Sequence, residues 1–105
     1  MPSQHSGYGT VTTDTTTSVV VCSGIATLSA HLISGSGTWT WQFKGPDGEW
    51  RDIYGGTGGT DVQSFTGSHM INVVFGNDVP VRGSASAGSS AEWDWQIASN
   101  ARNRN

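Results

Sequence analysis

The sequence predicts an all-β protein: a single small antiparallel β-sandwich or jelly roll of about eight short strands, with extended arms at both termini. Three observations point there. The first is a repeated signature, Trp39-Thr40-Trp41-Gln42-Phe43 and Trp93-Asp94-Trp95-Gln96-Ile97, which holds all but one of the 5 tryptophans. Successive side chains of a strand point to opposite faces, so Trp39, Trp41 and Phe43 share one face, as do Trp93, Trp95 and Ile97. The second is composition: Gly 15, abundant serine and threonine, and 12% charged residues against roughly 25% in an average soluble protein. The third is punctuation, since short β-branched or alternating runs are separated by turn residues and no stretch has the period of an amphipathic helix. At 105 residues and 11.0 kDa the chain can bury one modest core.

Taken in order, residues 1–9 read as an N-terminal arm, rich in Ser, Gly and His without periodicity. Residues 10–98 form the sandwich domain. Residues 10–13 and 18–22 are β-branched runs joined across Asp14 and a threonine cluster, as two strands with a short connection would be. After Gly24, the residues Ala26, Leu28, Ala30 and Leu32 alternate with Thr27, Ser29 and His31, a half-buried strand. Residues 39–44 and 49–54 flank Gly45-Pro46-Asp47-Gly48, where Pro46 presets φ, Asp47 suits the next turn position and Gly48 accepts positive φ, so this is a β-hairpin. The glycine-rich run 55–60 is a linker or long loop; it lacks the lysine and the strand-loop-helix context of a phosphate loop. Residues 61–66 and 69–75 are expected to pair around Gly67-Ser68. Turns at Gly76-Asn77-Asp78 and Gly88-Ser89-Ser90 then set off strands 79–85 and 92–98. The two Trp-x-Trp-Gln strands are expected either to neighbour each other or to face each other across the sandwich. Residues 99–105 are a polar C-terminal arm.

Composition and spacing argue against most chemistry. A formal net charge of -3 and a pI near 5.3 provide no basic field for nucleic acid. Cys22 lies in Ser18-Val19-Val20-Val21-Cys22 and is expected to be a buried, inert thiol. A single cysteine and an N-terminus with neither a basic start nor an apolar stretch suggest synthesis in a reducing cytoplasm without a signal peptide. No run approaches the length of a membrane span, so no membrane partner is expected. His5, His31 and His69 are scattered, without metal-ligand spacing, and are expected at the surface. Asp47, Glu49 and Asp52 lie close in the hairpin but lack the alternating spacing of a calcium loop. The two glutamates, Glu49 and Glu92, do not suggest a glycosidase pair, and no serine lies in a nucleophile elbow. The expectation is a non-enzyme with no catalytic residue, metal or cofactor.

Binding remains. A small sandwich closing its sheets about 10 Å apart cannot bury every one of these indoles, so one or two should be exposed. Interface or ligand candidates are Trp50 first, with Trp39 and Trp93, and the local positive cluster Arg102 and Arg104 in the C-terminal arm. An exposed tryptophan near Asp, Gln or Asn can stack a sugar ring or anchor a protein interface.

The hairpin from Ser36 through Gly45-Pro46-Asp47-Gly48 to Ile53, the segment Val81-Arg82-Gly83-Ser84-Ala85-Ser86-Ala87-Gly88-Ser89-Ser90 and the closing Trp93-Asp94-Trp95-Gln96-Ile97 strand resemble small virion structural proteins of tailed bacteriophages, most of all the β-rich proteins that decorate or cement phage heads. The resemblance covers most of residues 24–98 and is one of texture, so it assigns no family binding residue to a numbered position. It implies assembly in the host cytoplasm, residence in the virion, a major capsid protein or another virion protein as partner, and a homo-oligomer, with a trimer favoured. Two other roles are compatible: a tail- or fibre-associated adhesion module binding host glycans through exposed tryptophans, and a tail or neck assembly component.

Overall fold

A computed structural model describes residues 6–12, 14–55, 61–62 and 64–99. The protein is all-β, as expected, but its strands are unequal. They are β1 (Ser6–Thr12), β2 (Thr15–Thr16), β3 (Val20–Lys44), β4 (Trp50–Asp52), β5 (Tyr54–Gly55), β6 (Asp61–Val62), β7 (Ser64–Phe65) and β8 (His69–Ser99). Two of them dominate: β3 has 25 residues and β8 has 31. Partner numbers fall along β8 as they rise along β3, so the two run antiparallel. The first half of β3 lies between two passes of β8: Leu28 pairs with both Ile71 and Ile97, and Ala30 with both His69 and Trp95. The second half pairs with the middle of β8 through Trp39↔Ala85, Trp41↔Gly83 and Phe43↔Val81. One six-stranded sheet thus curls over itself until it nearly closes as a barrel, with a separate β5-β6 ribbon.

Glycine and polar clusters interrupt the apolar pattern of these long strands, so each has the local sequence of several short ones. In the fold those clusters bend the strand without ending it. Gly24 and Gly35 lie within β3 at φ +68° and +76°, and Asp78 and Ser90 lie within β8 at φ 53° and 50°. Between Cys22↔Val79 and Gly24↔Phe75 the β8 strand carries extra residues, a bulge where a turn was expected. Ser23 holds it: its hydroxyl accepts the Asp78 N–H at 2.8 Å and donates to the Asp78 carboxylate at 3.2 Å. The expected pairing of residues 61–66 with 69–75 is corrected likewise. Phe65 and Ser64 pair with Trp39 and Thr40 of β3, Asp61 and Val62 pair with β5, and residues 69–75 pair with β3. Local turn chemistry at Gly67-Ser68 cannot compete with the apolar face that Ile71, Val73 and Phe75 turn toward the core.

The hairpin of β3 and β4 forms around the expected turn but is shorter than residues 39–44 and 49–54, in the register Gln42↔Asp52, Phe43↔Arg51 and Lys44↔Trp50. The Gly48 N–H donates to the Gly45 carbonyl at 2.9 Å, with Gly48 at φ +84°. The Asp47 carboxylate accepts the Glu49 N–H at 3.1 Å and a charge-assisted bond from Arg51. Those two bonds, the backbone one first, hold its pKa below the usual carboxylate range. The Asp47 carboxylate is committed to the turn itself.

Both arm boundaries shift. β1 begins at Ser6 and pairs with the end of β8 from Ser6↔Ala98 to Thr12↔Glu92, so residues 6–9 belong to the sheet. Gly7 and Gly9 make this possible: a Cβ on Gly7 would lie 2.7 Å from Val20 Cγ2, and one on Gly9 would lie 3.2 Å from Trp95 Nε1. The two glycines let the strand lie flat against the Trp95 indole. At the other end Ser99 is part of β8, its hydroxyl donating to the Ser23 carbonyl at 2.9 Å.

The core gathers Trp39, Trp41, Trp93 and Trp95 with Leu28, Ile97, Val81, Cys22 and a set of alanines. Trp39 packs on Trp41 and on Trp93 with ring centroids 5.1 Å apart in each case. Trp39 pairs in register with Ala85, and Trp93 with Leu32, so the two signature strands face each other across the interior. Four indoles fit because small residues oppose them: Ala26, Ala30, Ala85, Ala91 and Gly83. Cys22 is fully buried, and burial pushes its thiol up to about 11, which makes it inert as read.

Candidate functional site

Of the five candidates, Trp39 and Trp93 are corrected: both have no exposed area and present no surface to a ligand or partner. The strand period places them on the same faces as Trp41 and Trp95, and the curled sheet turns both faces inward. Arg102 and Arg104 lie outside the described residues. Trp50 remains. It sits half-buried at the start of β4, opposite Lys44, on the outside of the sheet.

Around Trp50 the register assembles a cluster that hairpin spacing reveals only in part. Lys44 follows from the hairpin, and its ammonium lies 5.9 Å from the Trp50 ring centroid. Arg82 comes from β8, in register with Gln42, and its guanidinium carbon stands 4.1 Å over the same ring. The Arg82 Nε–H donates to the Gln42 side-chain oxygen at 2.9 Å, and the Gln42 amide donates to the Asp52 carboxylate at 3.0 Å. The result is a fixed row of Asp52, Gln42 and Arg82 across three strands, capped by an indole.

A second surface is the outer face of the sheet formed by β1, the end of β8, the first half of β3 and residues 69–75. Tyr8, Gln96, Ser29 and Met70 stand in one row across it, bordering a row with Thr10, Asp94 and His31. A shallow groove of about 810 Å³ runs between them. Ser68, His31 and Asp94 lie along this groove in an order that invites comparison with a hydrolase triad, but the bonds differ. Ser68 Oγ meets His31 Nδ1 at 2.8 Å and also accepts the Leu32 N–H at 3.1 Å, while Asp94 accepts from Thr10 at 2.8 Å. No carboxylate lies within ion-pair distance of His31 among the described residues. The serine is a strand clamp, and nothing here orients the imidazole as a base.

Residues 69–75 form the rim of this sheet and pair only with β3 among the described residues. Met70 and Val74 are 70% and 76% exposed there, and Ile25 and Tyr8 are also exposed on the same face. An apolar groove of about 430 Å³, lined by Phe43, Ile53, Val73, Phe75 and Val79, opens beside the rim.

His69, expected at the surface, is half-buried and structural. Its Nε2 accepts the Trp41 indole N–H at 2.9 Å, its Nδ1–H donates to the Gly67 carbonyl at 2.8 Å, and its ring stacks on Phe65 at 3.7 Å. Burial lowers its pKa below the ordinary 6.5, with the Gly67 carbonyl opposing the shift. The folded protein therefore disfavours the proton that the unfolded chain accepts. The stability tied to neutral His69 is complete above the unfolded pKa of about 6.5 and is lost as pH falls through it toward the lower folded value. Denaturation between pH 8 and pH 5 should show this decline, and His69→Gln, which can still accept from Trp41, should flatten it. An unchanged pH slope in that variant would exclude His69 as the source.

No protein-family model matches this chain, and no curated protein does. Among solved structures the chain is similar to one described as Bacillus endospore appendages that form disulfide-linked pili. The likeness is 16% identity over 91% of this chain and 88% of that one, with a TM-score of 0.29.

Proposed function

We propose that this chain is a non-enzymatic structural protein of a virion, a decoration or cement protein of a tailed-phage head, which acts by burying its open sheet rim and outer face against neighbouring capsid subunits. The observation that supports this reading is the rim itself. Residues 69–75 expose Met70 and Val74 and carry no Lys, Glu, Asp, Arg or Pro, the residues with which monomeric proteins guard a free edge. An unguarded, apolar, β-branched edge beside an apolar groove is suited to being covered by protein. A glycan-binding role would need an exposed indole face. Four of the five tryptophans are in the core, and the Trp50 ring lies under Arg82.

The test is to locate the protein on intact particles by electron microscopy and to compare particles with and without it under heat. A protein that binds only the assembled shell should raise the temperature the heads survive. Met70→Lys combined with Val74→Lys should weaken attachment to particles at least tenfold. It should leave the melting temperature of the free protein within the range of surface changes, about 0.5 kcal/mol per site. Full attachment by that variant, or particles lacking the protein that keep their heat resistance and fail to adsorb to cells, would overturn the reading.

A further inference from the structure

We propose that the Arg82 guanidinium, held on Trp50 and flanked by Lys44, is a binding site for side-chain carboxylates of an acidic polypeptide segment. The site stands on its own geometry, independent of the virion reading. Arg82 is fixed at two points, its Nε by the Gln42 oxygen at 2.9 Å and its guanidinium carbon over the indole, 4.1 Å from the ring centroid. Gln42 is in turn fixed by Asp52 at 3.0 Å. The Nε side of the guanidinium is thus committed, and its terminal nitrogens have no hydrogen-bond partner among the described residues. Lys44 lies on the same indole, and neither cation has a carboxylate within ion-pair distance there, whereas Arg51 is paired with Asp47.

Those terminal nitrogens form a planar fork whose geometry matches a carboxylate with two parallel bonds. Because stacking and the Gln42 bond already restrict the side chain, little rotamer freedom remains to be lost on binding. Charge selects within the anions. Arg82 and Lys44 supply two positive charges and the neighbouring Asp52 one negative, a balance that suits a singly charged carboxylate better than a phosphate carrying about -1.5 to -2. The chain as a whole is acidic, at -3, so this positive spot is local and matches a short acidic segment rather than an extended polyanion such as a nucleic acid. A uronic acid would bring a carboxylate too, but its sugar ring would have to stack where the guanidinium lies. A flexible acidic peptide has no such requirement.

The experiment titrates the full chain with a hexaglutamate peptide, following tryptophan fluorescence and heat of binding. Inorganic phosphate and an oligoglucuronate are titrated in parallel. The peptide should bind and change the fluorescence, and Trp50→Phe should abolish that change, because the other indoles are in the core. Arg82→Gln should weaken binding at least tenfold. Arg82→Lys, which keeps the charge and loses the fork, should weaken it at least threefold and carries the test should the glutamine variant fail to fold. Arg82→Lys binding as tightly as the native chain, an absence of peptide binding at low salt, or tighter binding of phosphate or oligoglucuronate than of peptide would each overturn the assignment.

Discussion

Trp39→Ala is expected to lower the unfolding free energy by about 3–5 kcal/mol, the cost of truncating a fully buried indole and leaving its cavity. Trp39 has no exposed area and lies between Trp41 and Trp93, each at 5.1 Å, so the void would open at the centre of the aromatic cluster. A small domain has a total stability of about 5–15 kcal/mol, and the loss would be a large fraction of it. Trp39→Phe should cost much less than alanine. It keeps a ring against Trp41 and removes the Trp39 Nε1–H, which is buried without a hydrogen-bond partner among the described residues. Urea denaturation followed by circular dichroism measures both variants. An alanine variant within about 0.5 kcal/mol of the native chain would place Trp39 outside the core and refute the packing described above.

The second large effect is expected at Gly83. A methyl group there would lie 2.7 Å from Trp39 Cε2 and 3.0 Å from its Nε1, with the six-membered ring closer still. Neither side can yield easily, since Gly83 is paired with Trp41 within the sheet and Trp39 is enclosed by other rings. Gly83→Ala should therefore reach the upper end of overpacking costs, about 3 kcal/mol. The conflict is specific to the indole. Gly83→Ala combined with Trp39→Phe should recover part of the loss, giving a double-mutant coupling of about 1 kcal/mol or more. Independent, additive effects would show that the methyl group and the indole do not meet.

Much of this architecture was legible in the sequence. Alternation at 26–32, 39–43 and 93–97 grouped side chains by face as the structure does, although Trp39 and Trp93 were expected at the surface, and the turn Gly45-Pro46-Asp47-Gly48 located one hairpin. The position of Cys22 in a β-branched run gave a buried thiol. The failures share a cause. Gly76-Asn77-Asp78 and Gly88-Ser89-Ser90 have the composition of turns, and nothing local distinguishes a turn from a bend that a long strand passes through. Residues 6–9 read as an arm because Gly7 and Gly9 bear no side chain to show a period. What they supply is room for Trp95, which is more than eighty positions away in the chain. His69 read as a surface histidine because its partners, Trp41 and Phe65, reach it only through sheet pairing.

The class of fold, which side chains share a face of each principal strand and the turn of the clearest hairpin follow from the sequence, because these depend on side-chain period and backbone preference within a few residues. Tertiary structure alone decided that β3 and β8 run on as bent strands, that all four signature tryptophans are internal, and that Arg82 comes to rest on Trp50. These outcomes depend on register between strands distant along the chain. Register is fixed by the summed burial of a whole face against the curled sheet, a quantity that no local stretch of residues contains.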